Sequence, residues 1–175
     1  EKILDDREKL KNLIDKKFTT DAEKQWLRQK LLEYKVKKSD LKELMIKMDM
    51  IPVSIALAQA AKESGWGTSR FALEGNAIFG VRTWSLKTVP HMKALGNPDA
   101  PWGVKKYTTK CQSVKDMIRI LNNHPAYEDF RIEREKQIDK GKWDYRALMV
   151  RMSAWSTNPD YAEIILQAIV DNKLP

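Results

Sequence analysis

The sequence is poor in the residues that cross-link chains or hold metals: among 175 residues there are one cysteine, Cys111, and two histidines, His91 and His124. A single thiol excludes an internal disulfide framework and a Cys-based zinc site, and two imidazoles are too few for an ordinary metal centre. Neither a metal nor a cofactor is expected. Seven glycines and seven prolines exclude a fibrous or low-complexity chain, and no stretch repeats at a fixed period. Long apolar runs are also missing. The longest, Met50 to Ala61, is broken by Pro52, Ser54 and Gln59 and falls short of the roughly 18 residues a membrane span needs. What is present is core material: 42% hydrophobic residues, with six Trp and seven Met, exclude wholesale disorder and suit one domain with a small lobe.

Charge is the one compositional pointer to a partner. Lys and Arg number 32 against 24 Asp and Glu, giving a net charge of +8. Such a balance fits nucleic acid, anionic lipid or an acidic wall polymer, or simply solvated helix faces. There is no zinc knuckle, RNA-binding motif or arginine-rich stretch, and the lysines are dispersed, so nucleic acid is not the expected partner. The chain opens on Glu1 rather than Met, so the lack of a visible signal peptide carries no information on export.

Residues 1–47 are polar, with apolar residues at helical spacing. Ile3, Leu4, Leu10, Leu13 and Ile14 predict a first helix ending near Phe18. Thr20 with Glu23, and Asp40 with Glu43, read as box-like starts of two more. The segment is expected to be a helical extension that packs rather than reacts. From Pro52 the run IPVSIALAQAAKESGWG is apolar almost all round, which predicts a buried central helix ended by Gly65 or Gly67. Between Ile78 and Thr109 the helical period disappears. IFGVRTW and GVKKYTT, around a loop with Pro90, Gly96, Asn97, Pro98 and Pro101, predict a β-hairpin lobe. Helices then return, one capped by Ser113, one opened by Pro125 and closed by Gly141, one around Leu148 and Met152, and a last one bearing Tyr161, Ile165 and Ile169.

Glu63 is the only carboxylate in the apolar helix, and it falls in the last turn before a glycine-bracketed Trp66. Burial and the negative end of the helix dipole both disfavour its charged form. A glutamic acid kept protonated beside an aromatic wall is what protonation of a glycosidic oxygen requires. Trp66 and Trp84 are candidate sugar-stacking faces, and Asn76 a candidate hydrogen-bonding side chain. A last-turn Glu is more often a plain surface residue.

The run ALAQAAKESGWGTSRFALEGNAIFGV resembles the signature of the bacterial peptidoglycan N-acetylglucosaminidases of the flagellar muramidase and autolysin type, Bax-type members above all. KKYTTKCQSVKDMIRILNNHPAY and WSTNPDYAEIILQAIVDN resemble later segments of that family, in the same order, so the likeness runs over about residues 48–173. It implies a lysozyme-like α+β fold, mainly α, over residues 48–175, with the extension 1–47 outside it. It implies hydrolysis of β-1,4 bonds between N-acetylglucosamine and N-acetylmuramic acid, hence peptidoglycan strands as partner, a monomer, and a place in the cell envelope. By position, Glu63 matches the family's general acid and Tyr127, in HPAY, a tyrosine facing the cleft. Asn76, Phe79 and Gly80 match the segment leading into the β-lobe. Tyr127 and Phe79 are equally well read as core aromatics.

One departure stands out. Several members carry a second glutamate in the β-lobe, whereas from Val81 to Lys110 the only carboxylate is Asp99, in a Gly-Asn-Pro-Asp turn. Three mechanisms follow: inversion with Asp99 as base, assistance by the substrate's 2-acetamido group, or single-acid chemistry like that of lytic transglycosylases. A wall-binding module without turnover is the reading from a different class.

Overall fold

A computed structural model describes residues 2–16, 19–37, 40–138 and 140–175. In chain order its helices are α1 (Lys2–Ile14), α2 (Asp21–Glu33), α3 (Leu41–Lys47), α4 (Val53–Glu63), α5 (Arg70–Gly75), α6 (Lys110–Asn123), α7 (Glu128–Ile138), α8 (Tyr145–Met149) and α9 (Tyr161–Asp171). The strands are β1 (Arg82–Thr83), β2 (His91–Met92) and β3 (Gly103–Lys105), and 3₁₀ turns cover Pro125–Tyr127 and Val150–Trp155. The chain is of the mainly helical α+β class. It forms two compact units, each from two chain segments: Glu1–Ile51 with Ile120–Trp155, and Pro52–Arg119 with Ser156–Pro175. Among the described residues, no helix is long and apolar enough to cross a membrane.

In the first unit the helix starts are those the cap residues dictate. Thr20 Oγ1 accepts from Glu23 N at 3.2 Å while Glu23 accepts from Thr20 N at 2.8 Å, a complete capping box. Asp40 accepts from Glu43 N at 2.9 Å. The end expected near Phe18 lies outside the described residues. Leu10, Tyr34, Leu44 and Met48 form the core, with Trp26, Leu27 and Leu31 packed against it. A second buried region is ionic. Arg7 meets Asp49 at 3.2 Å and Glu135 at 2.8 Å. Arg134 donates to Asn122 Oδ1 at 2.7 Å and to the carbonyl of Ile46 at 2.8 Å. Burial pushes the Arg134 guanidinium down to about 10. It also pushes the Asp49 carboxyl up, against the pull of Arg134 and Arg7. Deleting one member of such a cluster strands the others as buried charges, which costs more than the intact cluster contributes.

In the second unit α4 packs on α9. Ser54, Ile55, Ala58 and Gln59 are the buried residues of α4. It is not buried all round as its composition suggested: Val53 and Leu57, one turn apart, are about half exposed. The expected hairpin is a three-stranded antiparallel sheet in the order β1-β3-β2. Arg82 pairs with Val104, and Met92 pairs with Val104 from the other side. The extra strand, β2, lies inside what reads as loop. Ser113 does not cap α6. The helix begins a turn earlier, where Thr109 Oγ1 accepts from Gln112 N at 3.2 Å. Ser113 is buried and its hydroxyl accepts from Ile78 N at 3.0 Å, tying α6 to the segment that leads into β1.

Candidate active site

The C-terminus of α4 is shaped by a glycine signal. Trp66 N–H reaches back to the carbonyl of Ala61 at 2.7 Å and Gly65 N–H to that of Lys62 at 3.4 Å, the two bonds of a Schellman motif. Gly65, Trp66 and Gly67 all have positive φ, at 57°, 58° and 80°. For Trp66, which has a Cβ, this backbone costs about 1 kcal/mol. The turn leaves the indole 62% exposed. It lines an apolar cavity of about 230 Å³ with Leu57, Ala58, Ala61, Ala168, Asn172 and Leu174.

Glu63 is the last residue of α4 and is partly exposed. Its Oε1 accepts a hydrogen bond from Tyr161 Oη at 2.9 Å. Tyr161 is the first residue of α9, so the packing of α4 on α9 is what brings the two together. Gln59, one turn before Glu63 and fully buried, donates from Nε2 to the same hydroxyl at 2.9 Å. Glu63 Oε2 lies toward Gly80: a Cβ built at Gly80, whose φ is +59°, would stand 3.9 Å from that oxygen. The carboxyl therefore has one oxygen held by a phenol and the other beside a backbone without a side chain.

The other residues singled out from the sequence fall into different settings. Trp84 follows β1 and is 66% exposed, like Trp66 free of the core. Phe79 is buried, a core aromatic. Asn76 caps α5 in the left-handed region, and its amide nitrogen donates to the carbonyls of Tyr107 and Thr108 at 3.1 and 3.2 Å. That engagement fixes the exit of the sheet, so its donors are committed to protein. Asp99 is exposed, on a turn where Ala100 N–H returns to the carbonyl of Asn97 at 3.4 Å. Tyr127 belongs to the first unit. It is buried, with its ring 5.9 Å from that of His124 and 6.1 Å from that of Trp155, and burial pushes its phenol up to about 12. Among the described residues no group of three or more His, Cys, Asp or Glu side chains converges as metal ligands would.

Two residues at the site were not found by reading the sequence for chemistry: Tyr161, read only as part of the last helix face, and Gln59, read only as an interruption. The signal for Gln59 was there, because a lone amide four residues before a lone carboxylate shares its helix face. Tyr161 gave none, being 98 positions from Glu63.

A family model described as glucosaminidase, mannosyl-glycoprotein endo-beta-N-acetylglucosaminidase, matches residues 38–174. Protein bax of Escherichia coli is 29% identical over 92% of this chain and 61% of its own length. The exo-glucosaminidase LytG of Bacillus subtilis is 27% identical over 67% of this chain and 43% of its own. The peptidoglycan hydrolase FlgJ of Vibrio parahaemolyticus is 27% identical over 65% of this chain and 38% of its own. The chain thus spans about six-tenths or less of the length of these relatives. The catalytic domain of the autolysin Auto from Listeria monocytogenes superposes with a TM-score of 0.52 at 16% identity, over 97% of this chain and 94% of that one, a likeness of fold.

Proposed function

The chain belongs to the glucosaminidase family matched over residues 38–174, and from that membership we propose that it hydrolyses bacterial peptidoglycan. The bond is the β-1,4 link between N-acetylglucosamine and N-acetylmuramic acid, cut within the strand, and the place of action is the cell envelope. The relatives named as peptidoglycan hydrolase and exo-glucosaminidase support the substrate class. Residues 48–175 form the hydrolase, with 1–47 as a helical extension, and the protein acts as a monomer without a cofactor.

The observation that carries the reading is the carboxyl of Glu63, half-open at a helix end with one oxygen engaged by Tyr161 and the other beside Gly80. In its protonated form Glu63 donates to the bridging oxygen as the bond from C1 to that oxygen breaks. The electron deficiency at C1 is met from the opposite side in one of two ways. Either a water deprotonated by Asp99 attacks, or the carbonyl oxygen of the substrate's own 2-acetamido group does so first and water opens the resulting ring. Trp66 and Trp84, both exposed, supply stacking faces for pyranose rings, while Asn76 holds the exit of the sheet beside them.

Glu63→Gln is expected to lower wall digestion on the order of 10²-fold or more, as removal of a general acid does, with an unchanged circular-dichroism spectrum. A fully active variant would remove the assignment. Asp99→Asn separates the two routes: unchanged rates leave substrate assistance, and mass spectrometry of the digest is expected to find reducing N-acetylglucosamine ends. Anhydro-muramic ends would mean transglycosylation. The lack of a glutamate between Val81 and Lys110 favours a second reading, a wall-binding module without turnover, which a turbidity assay on purified walls tells apart.

A further inference from the structure

We infer that Gln59 and Tyr161 are positioning residues that decide which oxygen of Glu63 carries the proton. The inference rests on the assignment of Glu63 as the acid and deepens it. The two oxygens of a carboxyl group are equivalent in water, so an unsupported acid presents its proton to a substrate only part of the time. In this protein they are made unequal. The amide Nε2 of Gln59 can only donate, and it donates to Tyr161 Oη at 2.9 Å. That bond uses the phenol oxygen as acceptor and leaves its single proton to point onward, into the 2.9 Å contact with Glu63 Oε1. An oxygen that accepts a hydroxyl proton in line is a poor place for a second proton, so the acidic proton resides on Oε2. Oε2 is the oxygen beside Gly80, where a Cβ would be only 3.9 Å away and none exists. The proton is thereby placed on the side that the glycine leaves open.

A second observation points the same way. Gln59 has 0% exposure, and its Oε1 is buried with no hydrogen-bond partner among the described residues. A buried acceptor left unmet costs stability, and an apolar side chain of the same length would avoid that cost. The amide is explained by what its other end does. Once the proton has left, the same phenol stabilises the carboxylate that remains, since a hydrogen bond to the charged form is stronger than one to the neutral form.

The test compares wild type, Tyr161→Phe and the near-isosteric Gln59→Met on solubilised peptidoglycan strands. Tyr161→Phe is expected to lower kcat on the order of 10²-fold, the lower end of the scale seen on removing one preorganised donor, with KM within about 2-fold. The basic limb of the pH–rate profile should move to higher pH, because a carboxylate that loses its donor ionises less readily. Gln59→Met should shift the same limb in the same direction by less. Loss of packing alone would lower the melting temperature and leave that limb in place. Wild-type kcat and pH profile in both variants, with Glu63→Gln inactive, would overturn the relay and leave the acid assigned; an active Glu63→Gln would remove the acid itself. Should Tyr161→Phe not fold, Gln59→Met carries the comparison. Should wild type show no turnover, the ¹³C titration of the carboxyl resonance absent from Glu63→Gln replaces the pH–rate profile. Its midpoint is expected to rise in both variants, and an unchanged midpoint overturns the inference.

Discussion

At the scale of residues, the proposed assignment of Glu63 as the acid makes Gly80 a position where a single methyl group matters. Its φ of +59° suits glycine, and a methyl group there would sit 3.9 Å from Glu63 Oε2. That separation is an ordinary contact, so Gly80→Ala fits sterically. The backbone still charges about 1 kcal/mol for a Cβ in the left-handed region. Gly80→Ala is expected to lower the thermal midpoint modestly while reducing wall digestion about 10-fold, more than the stability loss explains, because the methyl occupies the space of the scissile oxygen. Activity and melting measured on one preparation check both halves. Glu63 stood out by a local signal, a lone carboxylate in the last turn of an apolar helix, whereas Gly80 entered only through the family resemblance. Tyr161 was not legible: its partner is nearly a hundred positions away, and no period or spacing reports a contact between the end of one helix and the start of another.

At the scale of elements, the tie between β3, the segment after it and α6 rests on one carboxylate. Asp116 accepts from Lys105 Nζ at 2.9 Å, from Tyr107 Oη at 2.8 Å and from Arg119 at 2.6 Å. Burial opposes its ionisation, yet the hydrogen bonds from Lys105, Arg119 and Tyr107 outweigh it and hold the carboxyl below its usual range. Burial, and after it the same contact with Asp116, push the Tyr107 phenol upward. A carboxyl lowered in the folded state stabilises above its unfolded pKa and loses that contribution as pH falls through the folded value. Asp116→Asn is therefore expected to cost about 1–2 kcal/mol near neutral pH, with the difference from wild type shrinking below about pH 4. Urea melts at pH 7 and pH 3 measure it. Elements with local signals were readable: both box-like starts, Thr20 with Glu23 and Asp40 with Glu43, have the cap bonds their spacing implied. The start of α6 slipped by one turn because Thr109 and Ser113 are both good caps, and the later one was needed at Ile78 N. Strand β2 escaped because two residues carry no period, and its partner β3 lies beyond the Gly-Asn-Pro-Asp turn.

At the scale of the whole molecule, the mainly helical α+β class was legible from apolar periodicity and from its loss between Ile78 and Thr109. The grouping of residues 1–51 with 120–155, and of 52–119 with 156–175, was not. Which distant segments share a core is set by side-chain fit, and composition along the chain does not record it. The interleaving bears on synthesis. A ribosome delivers the N-terminus first, so every segment of the first unit exists once Trp155 has emerged, while α4 still lacks α9. Glu63 is made early and its phenol partner late. A nascent or nicked chain ending at residue 155 is expected to melt as a partial structure and to leave walls intact, and adding a peptide of residues 156–175 is expected to restore some digestion. On the proposed assignment of Glu63 as the acid, hydrolytic competence waits on the emergence of α9 and is withheld during the interval in which α4, with its carboxyl, has already been built.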